Sequence, residues 1–337
     1  MKNLNNIIVF LLTSFLFFST ISSQVEPNIT IQNNQFKKNM FNQFINIFEP
    51  SGIAQLENGQ VLIVDDDGLK PISLLKFSKK EPFDHLEKIS EYNFGSIEVD
   101  DLEALTVGKN QYIYAITSHS RNRKGKLKHK RNRLIRFKFK NGQLANPIAL
   151  ENLRDWIVYS YPQLRKASNI KKVQEDGGLN IEGLAYHNNQ LFIGLRSPLH
   201  QLENQSKAMI IPVNLGDNIF KNKLINNSPN PIITVDLDGA GIRDLSYIPE
   251  LNGFLILSGN SVDDKKPAKL WFWKQGIKPS KIKIKGTNHL GTAEGITSAK
   301  LRNGDAGILI TSDDGNREKN IPGHYLFIPY SNLKFKS

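Results

Sequence analysis

The chain has 337 residues, 39% of them apolar, with 44 Lys and Arg against 32 Asp and Glu, a formal net charge of +12 and no cysteine. Those figures exclude thiol catalysis, thiolate metal sites, a disulfide framework and a lipid anchor on cysteine. They describe a basic globular protein whose core holds the fold unaided.

Lys2, the apolar run 7–18 broken by Thr13 and Ser14, and the small residues around Thr20-Ile21-Ser22-Ser23 read as a secretory signal peptide, residues 1–23. The run is about 12 residues, short of the roughly 20 that cross a bilayer, and no later stretch is long and apolar enough to do so. Residues 24–40 form a polar lead-in and 41–337 a single domain, expected to be exported to the periplasm or the medium and monomeric.

From residue 51 a five-residue phrase recurs: Ser51-Gly52-Ile53-Ala54-Gln55, Glu103-Ala104-Leu105-Thr106-Val107, Glu182-Gly183-Leu184-Ala185-Tyr186, Arg243-Asp244-Leu245-Ser246-Tyr247 and Glu294-Gly295-Ile296-Thr297-Ser298. Its first residues lie 52, 79, 61 and 51 positions apart. Each copy runs through an Asn- or Gly-bearing turn, such as Glu57-Asn58-Gly59 or Arg302-Asn303-Gly304, into a short apolar strand, such as Val61–Val64 or Phe254–Leu257. A second polar cluster follows: Asp65-Asp66-Asp67, Thr117-Ser118-His119-Ser120, Arg196-Ser197, Ser258-Gly259-Asn260 and Ser312-Asp313-Asp314. Then comes an alternating third strand, as in Leu134–Phe139 or Lys269–Trp273, and weaker fourth strands near 148–150, 232–235 and 282–284.

Three or four strands per unit, repeated radially and almost free of helix, predict an all-β fold: a β-propeller of five to six blades, with a small insertion near 152–172 that is either helical or a degenerate blade. The innermost strand of each blade then lines a channel. The phrase's first residues, Ser51, Glu103, Glu182, Arg243 and Glu294, are expected to form a ring at one mouth, with Asp65 or Asp66, His119, Arg196, Asn260 and Asp313 close by. Hard oxygen ligands suit Ca²⁺ or Mg²⁺, so Glu103, Glu182, Glu294 and Asp313 are the candidate metal set. Arg196, Arg243, Asn260 and Arg121 are candidates for holding an anion, and His119 and Glu182 for acid–base work. The same acids equally suit a purely structural role in closing the ring. No organic cofactor signature, Gly-x-Ser-x-Gly elbow or Walker motif is present.

Between Arg121 and Lys140 stand eleven Lys or Arg and no acid. Such a run suits a polyanion or lipid headgroups, or is simply a solvated hairpin. No base-stacking or helix-turn-helix pattern accompanies it, so specific nucleic-acid binding is not expected.

The runs Asp100-Asp101-Leu102-Glu103-Ala104 and Thr117–Asn122, with Gly125-Lys126 and Arg131–Leu134, resemble domain-of-unknown-function family 3616. So do Leu179–Ala185, Gly194–Leu199, Asp236–Asp244 and Ala293–Ile296. That resemblance implies a bacterial, usually exported, propeller-like protein with no assigned reaction. The Glu-Gly-aliphatic phrase is also distantly similar to phytase-like and esterase-like propellers, in which channel acids hold Ca²⁺ against substrate phosphates; this chain has fewer ring carboxylates and adds two arginines. Three readings follow: a mouth that binds a small anionic ligand, with or without a divalent cation; a metal-dependent phosphoester or ester hydrolase using metal-bound water; and a polyanion-binding surface on the 121–140 hairpin.

Overall fold

The structure, a computed structural model, describes residues 41–66, 68–80, 83–216, 219–262, 267–287 and 289–335. The described residues all belong to one compact unit, Phe36–Ser337. The expected signal peptide and polar lead-in lie outside the described residues.

A two-residue strand, β1 (Asn42–Gln43), comes first. Blade 1 is β2 (Pro50–Gln55), β3 (Val61–Asp65), β4 (Ile72–Lys80) and β5 (Phe83–Tyr92). Blade 2 is β6 (Leu102–Val107), β7 (Ile113–Thr117), β8 (Leu134–Lys140) and β9 (Gln143–Leu150). Three short helices come next: α1 (Leu153–Ser160), α2 (Arg165–Asn169) and α3 (Val173–Asp176). Blade 3 is β10 (Asn180–His187), β11 (Gln190–Leu202), β12 (Gln205–Asn214) and β13 (Ile233–Val235), with α4 (Ile219–Asn222) before its last strand. Blade 4 is β14 (Gly241–Ile248), β15 (Gly253–Gly259), β16 (Lys269–Trp273) and β17 (Ser280–Ile284); blade 5 is β18 (Ala293–Lys300), β19 (Ala306–Ser312) and β20 (His324–Pro329).

The fold is therefore a five-bladed β-propeller, and the 79-residue interval holds helices rather than a sixth blade. Each inner strand touches the next, β2 to β6 to β10 to β14 to β18, and β18 touches β2. The first and last described strands act as clasps. Strand β1 pairs with β20 as the outermost strand of blade 5, and β21 (Leu333–Phe335) pairs with β17 as a fifth strand of blade 4.

The apolar core is distributed among the seams between blades. Leu62 and Val64 of β3 pack with Ala115 and Phe137 of blade 2, while Val61 and Ile63 pack with Leu309 and Tyr325 of blade 5. The other three seams are built alike. Both faces of each sheet are thus covered, which is why the second strands read as unbroken apolar runs rather than alternating ones.

The recurring phrase encodes a β-bulge. In every inner strand the ladder slips at the phrase's first residue: Pro50 pairs with Asp65 and Gly52 with Val64, passing over Ser51. The same skip passes over Glu103, Glu182, Arg243 and Glu294. A bulge leaves one residue outside the pairing and turns its side chain away from the sheet. The second residue is small because inner strands meet there. A Cβ on Gly52 would stand 2.7 Å from the Ala104 Cα, one on Gly183 2.6 Å from a Leu245 methyl, and one on Gly295 2.7 Å from the Ser51 carbonyl oxygen. Gly52→Ala is therefore expected to cost roughly 1–3 kcal/mol by overpacking against backbone; a urea midpoint equal to wild type would show that the seam has room.

Candidate functional site: the bulged mouth of the channel

The five bulges lie at one end of the channel, where the second strands also finish, so the two polar clusters of each blade meet. Glu182 and Arg196 are both skipped by the β10–β11 ladder and both buried. Arg196 Nη1 donates to Glu182 Oε1 at 2.8 Å, and Asn180 Nδ2 donates to the same oxygen at 2.9 Å. Arg243 Nε stands 3.6 Å from Glu182 Oε2, and Arg243 Nη2 donates to Glu294 Oε1. The result is a chain of alternating charge, Arg196–Glu182–Arg243–Glu294, crossing three blades. Asn260 joins it through its carbonyl, which accepts Arg196 Nε at 3.1 Å.

Beside that chain the charge is negative. Glu49 and Asp66 meet where the chain enters blade 1 and leaves its second strand: Asp66 N–H donates to the Glu49 carbonyl, and Asp101 N–H to the Asp66 carbonyl, both at 3.3 Å. Carboxylate oxygens of Glu49, Asp65 and Asp66 lie within 4.8 Å of one another. Asp65 is committed to Arg317, whose Nη2 donates to both its oxygens at 2.8 Å. Asp66 Oδ1 is out of reach of solvent and has no hydrogen-bond partner among the described residues. Burial, reinforced by Glu49, Asp313, Asp101 and Glu294, pushes the Asp66 carboxyl up to about 9.

The same forces act around the ring. Burial raises Glu103 well above the carboxylate range, helped by Asp101, Glu182, Glu294 and Asp66. Burial pushes Glu294 up to about 8; Arg243 works against the shift, and Asp313 and Glu182 add to it. Asp101 is also raised by burial, although Arg131 opposes it. Carboxylates this close disfavour one another's ionisation unless a cation or protons intervene.

The residues singled out from the sequence thus divide. The structure brings Glu182, Arg196, Arg243, Glu294 and the Asn260 backbone into one ion-paired chain, with Glu103 and Asp313 acting on its acids. Among the described residues, the carboxylates whose oxygens converge at ligand spacing are Glu49, Asp65 and Asp66 rather than Glu103, Glu182, Glu294 and Asp313. Asp65 and Asp66 stand in a polar cluster visible in the sequence; Glu49 precedes the first phrase and carries no signal. His119 is wholly buried, with Nδ1 on the Thr117 carbonyl at 2.8 Å and Nε2 without a partner. Burial pushes its ring down to about 4, with Thr117 opposing and Arg154 and Arg133 assisting. Arg121 staples its hairpin, donating to the Ser168 and Gly125 carbonyls.

Much of the basic run is also spoken for. Lys128, Lys130 and Arg131 all face Asp100, Arg131 also binds Asp101, and Arg133 faces Glu151. Arg136 and Lys138 lie over the Tyr112 ring. Arg123, Lys124, Lys126 and Lys140 remain exposed. Among the described residues no helix is long and apolar enough to cross a membrane.

These features define a five-bladed β-propeller with a bulge-built polar ring at one mouth of its channel, in which arginine and glutamate alternate across three blades. Residues 162–322 match the family described as "Protein of unknown function (DUF3616)", and the resemblance read from the sequence to that family holds. The runs near 100–134 that also carry the resemblance lie outside the matched stretch. No curated protein matches the sequence. Among solved structures, the chain is similar to a Thermus thermophilus protein named as an oxidoreductase (glucose dehydrogenase), at 14% identity and a TM-score of 0.43, over 86% of this chain and 99% of that one. It is also similar to Kuenenia stuttgartiensis hydrazine synthase, at 10% identity and a TM-score of 0.35, over 83% of this chain and 74% of that one.

Proposed function

We propose that this is an exported propeller that holds a divalent cation at the acidic mouth of its channel and binds a small anionic ligand through it. One observation carries the reading: Asp66 presents a buried carboxylate oxygen with no hydrogen-bond partner, among the carboxylates of Glu49 and Asp65 at ligand spacing. A metal supplies the missing partner and relieves the repulsion. Ca²⁺ suits the set better than Mg²⁺, because it accepts irregular oxygen shells and Mg²⁺ demands a near-ideal octahedron. Asp66 and Glu49 would be the principal ligands, with Glu103 and Asp313 adding negative potential. The anion is recognised by the cation, since Arg196 and Arg243 already face Glu182 and Glu294. His119, whose charged neighbours are Arg154 and Arg133, has no part in this reading, and it assigns no bond-breaking step.

The test is thermal unfolding of EDTA-treated protein with and without Ca²⁺. At a Ca²⁺ concentration about a hundredfold above its Kd, stabilisation of about 2.7 kcal/mol is expected, or roughly 5 °C in Tm. Asp66→Asn should fold and lose that shift. A wild-type Tm indifferent to Ca²⁺ and Mg²⁺ would overturn the proposal.

A further inference from the structure

The opposite end of the channel is a different place. A cavity of about 610 Å³ opens there, lined by the far ends of all five inner strands and the turns that follow them. Strand geometry separates it from the bulges by roughly 10 Å, three residues at about 3.3 Å each. Its lining has no Asp or Glu, and Lys109 is its one Lys or Arg. Where the phrase's first position carries charge to the acidic mouth, its fourth carries hydroxyls to this one: Thr106, Ser246 and Thr297.

Those hydroxyls are available. Thr297 lines the cavity and makes no side-chain hydrogen bond among the described residues, so its hydroxyl is open to a ligand as donor and acceptor. Ser246 is likewise unbonded among them. Thr106 Oγ1 accepts the Tyr186 N–H at 3.2 Å, which leaves its own proton to donate. Aromatic rings flank them. Tyr247 stacks on His187 with centroids 3.7 Å apart, and its hydroxyl is pinned by donation to Asn252 Oδ1 at 3.0 Å. Tyr186 stacks in parallel on Tyr114.

We propose that this bowl binds a neutral polyhydroxylated ligand, a sugar of one or two rings. Hydroxyls that both donate and accept match a ligand made of the same groups. Rigid aromatic rings offer apolar surface to the C–H faces of a pyranose. The absence of carboxylates removes the ion that would select a cation, and the volume lies within the range of small-molecule pockets, roughly 300–1,000 Å³. This site is separate from the acidic mouth and does not depend on a metal there.

The experiment is saturation-transfer NMR and calorimetry of the full chain with glucose, galactose, maltose and cellobiose as probes. At least one is expected to bind saturably. Thr297→Val, nearly isosteric, and Tyr247→Ala should each weaken it at least about threefold, the scale of one lost hydrogen bond, with the Tm of each variant recorded to confirm folding. Asp66→Asn should leave sugar affinity unchanged. Absence of saturable binding by every probe, indifference of binding to both bowl variants, or its loss in Asp66→Asn would each overturn the proposal.

Discussion

Asp244→Ala is expected to lower the unfolding free energy by about 4 kcal/mol, because one side chain ties three blades together and alanine orphans its backbone donors. Asp244 Oδ1 accepts the Leu245 N–H at 2.8 Å and the Leu184 N–H at 3.5 Å, and Oδ2 accepts the Ile296 N–H at 2.8 Å. Those donors belong to the inner strands of blades 4, 3 and 5. The residue is 1% exposed, so water cannot replace it. Burial pushes its carboxyl well above the ordinary range, and the three N–H groups work against that shift. Each buried donor left unpaired costs about 1–3 kcal/mol, and the two short bonds dominate. Asp244→Asn keeps one acceptor oxygen and should lose about half as much. Urea unfolding decides the matter: an alanine variant within about 1 kcal/mol of wild type, a margin smaller than one such bond, would mean that this clasp is dispensable.

Arg243→Met should cost about 3–5 kcal/mol, the scale for removing one member of a buried ion pair. Arg243 is 6% exposed and stands between Glu182 and Glu294. Methionine retains much of the stem's packing but strips both acids of their shared cation. Glu182 still has Arg196, whereas Glu294 is left beside Asp313. The double variant Arg243→Met, Glu294→Gln should therefore recover part of the loss, because the buried acid left without its cation is replaced by a neutral amide. If the double variant is no more stable than the single one, the loss comes from packing and the alternating chain has no energetic role.

The five inner strands are legible in the sequence because bulge and strand together impose one local pattern: a polar residue freed from the ladder, a small one where blades meet, then an aliphatic one. The ring positions follow from that repetition. Which ring acid meets which arginine is not legible, since Arg243 and Glu294 are joined across a blade boundary and spacing says nothing about side-chain direction. Asp244 occupies the small-residue slot of its phrase as an acid, an anomaly the structure explains by its three backbone donors. Strand β5 escapes sequence reasoning because it is rich in charge, lies at a blade's outer edge and carries little apolar signal. Strand β1 escapes it because two polar residues have no period. Glu49 becomes part of a site only when blade 1 folds back and sets Asp66 beside it, so nothing local marks it. The helices at 153–176 are expected from the sequence only as one of two options, helical or degenerate blade; buried Leu153, Trp156, Ile157 and Leu164 fix them against the blade 2–3 seam.

The pairing of β1 with β20 sets an order of events. Blades 1 to 3 and the first four strands of blade 4 are each built from neighbouring stretches of chain, and their hairpins can form as those stretches are synthesised. Blade 5 needs residues 42–43 alongside residues 324–325, the two extremes of the domain. Its outer edge therefore stays unpaired until β20 arrives, and joining contacts so distant in sequence is slow. Until then the nascent arc exposes an open sheet edge and the uncovered seam faces of blades 1 and 5, the surfaces by which partly folded chains aggregate.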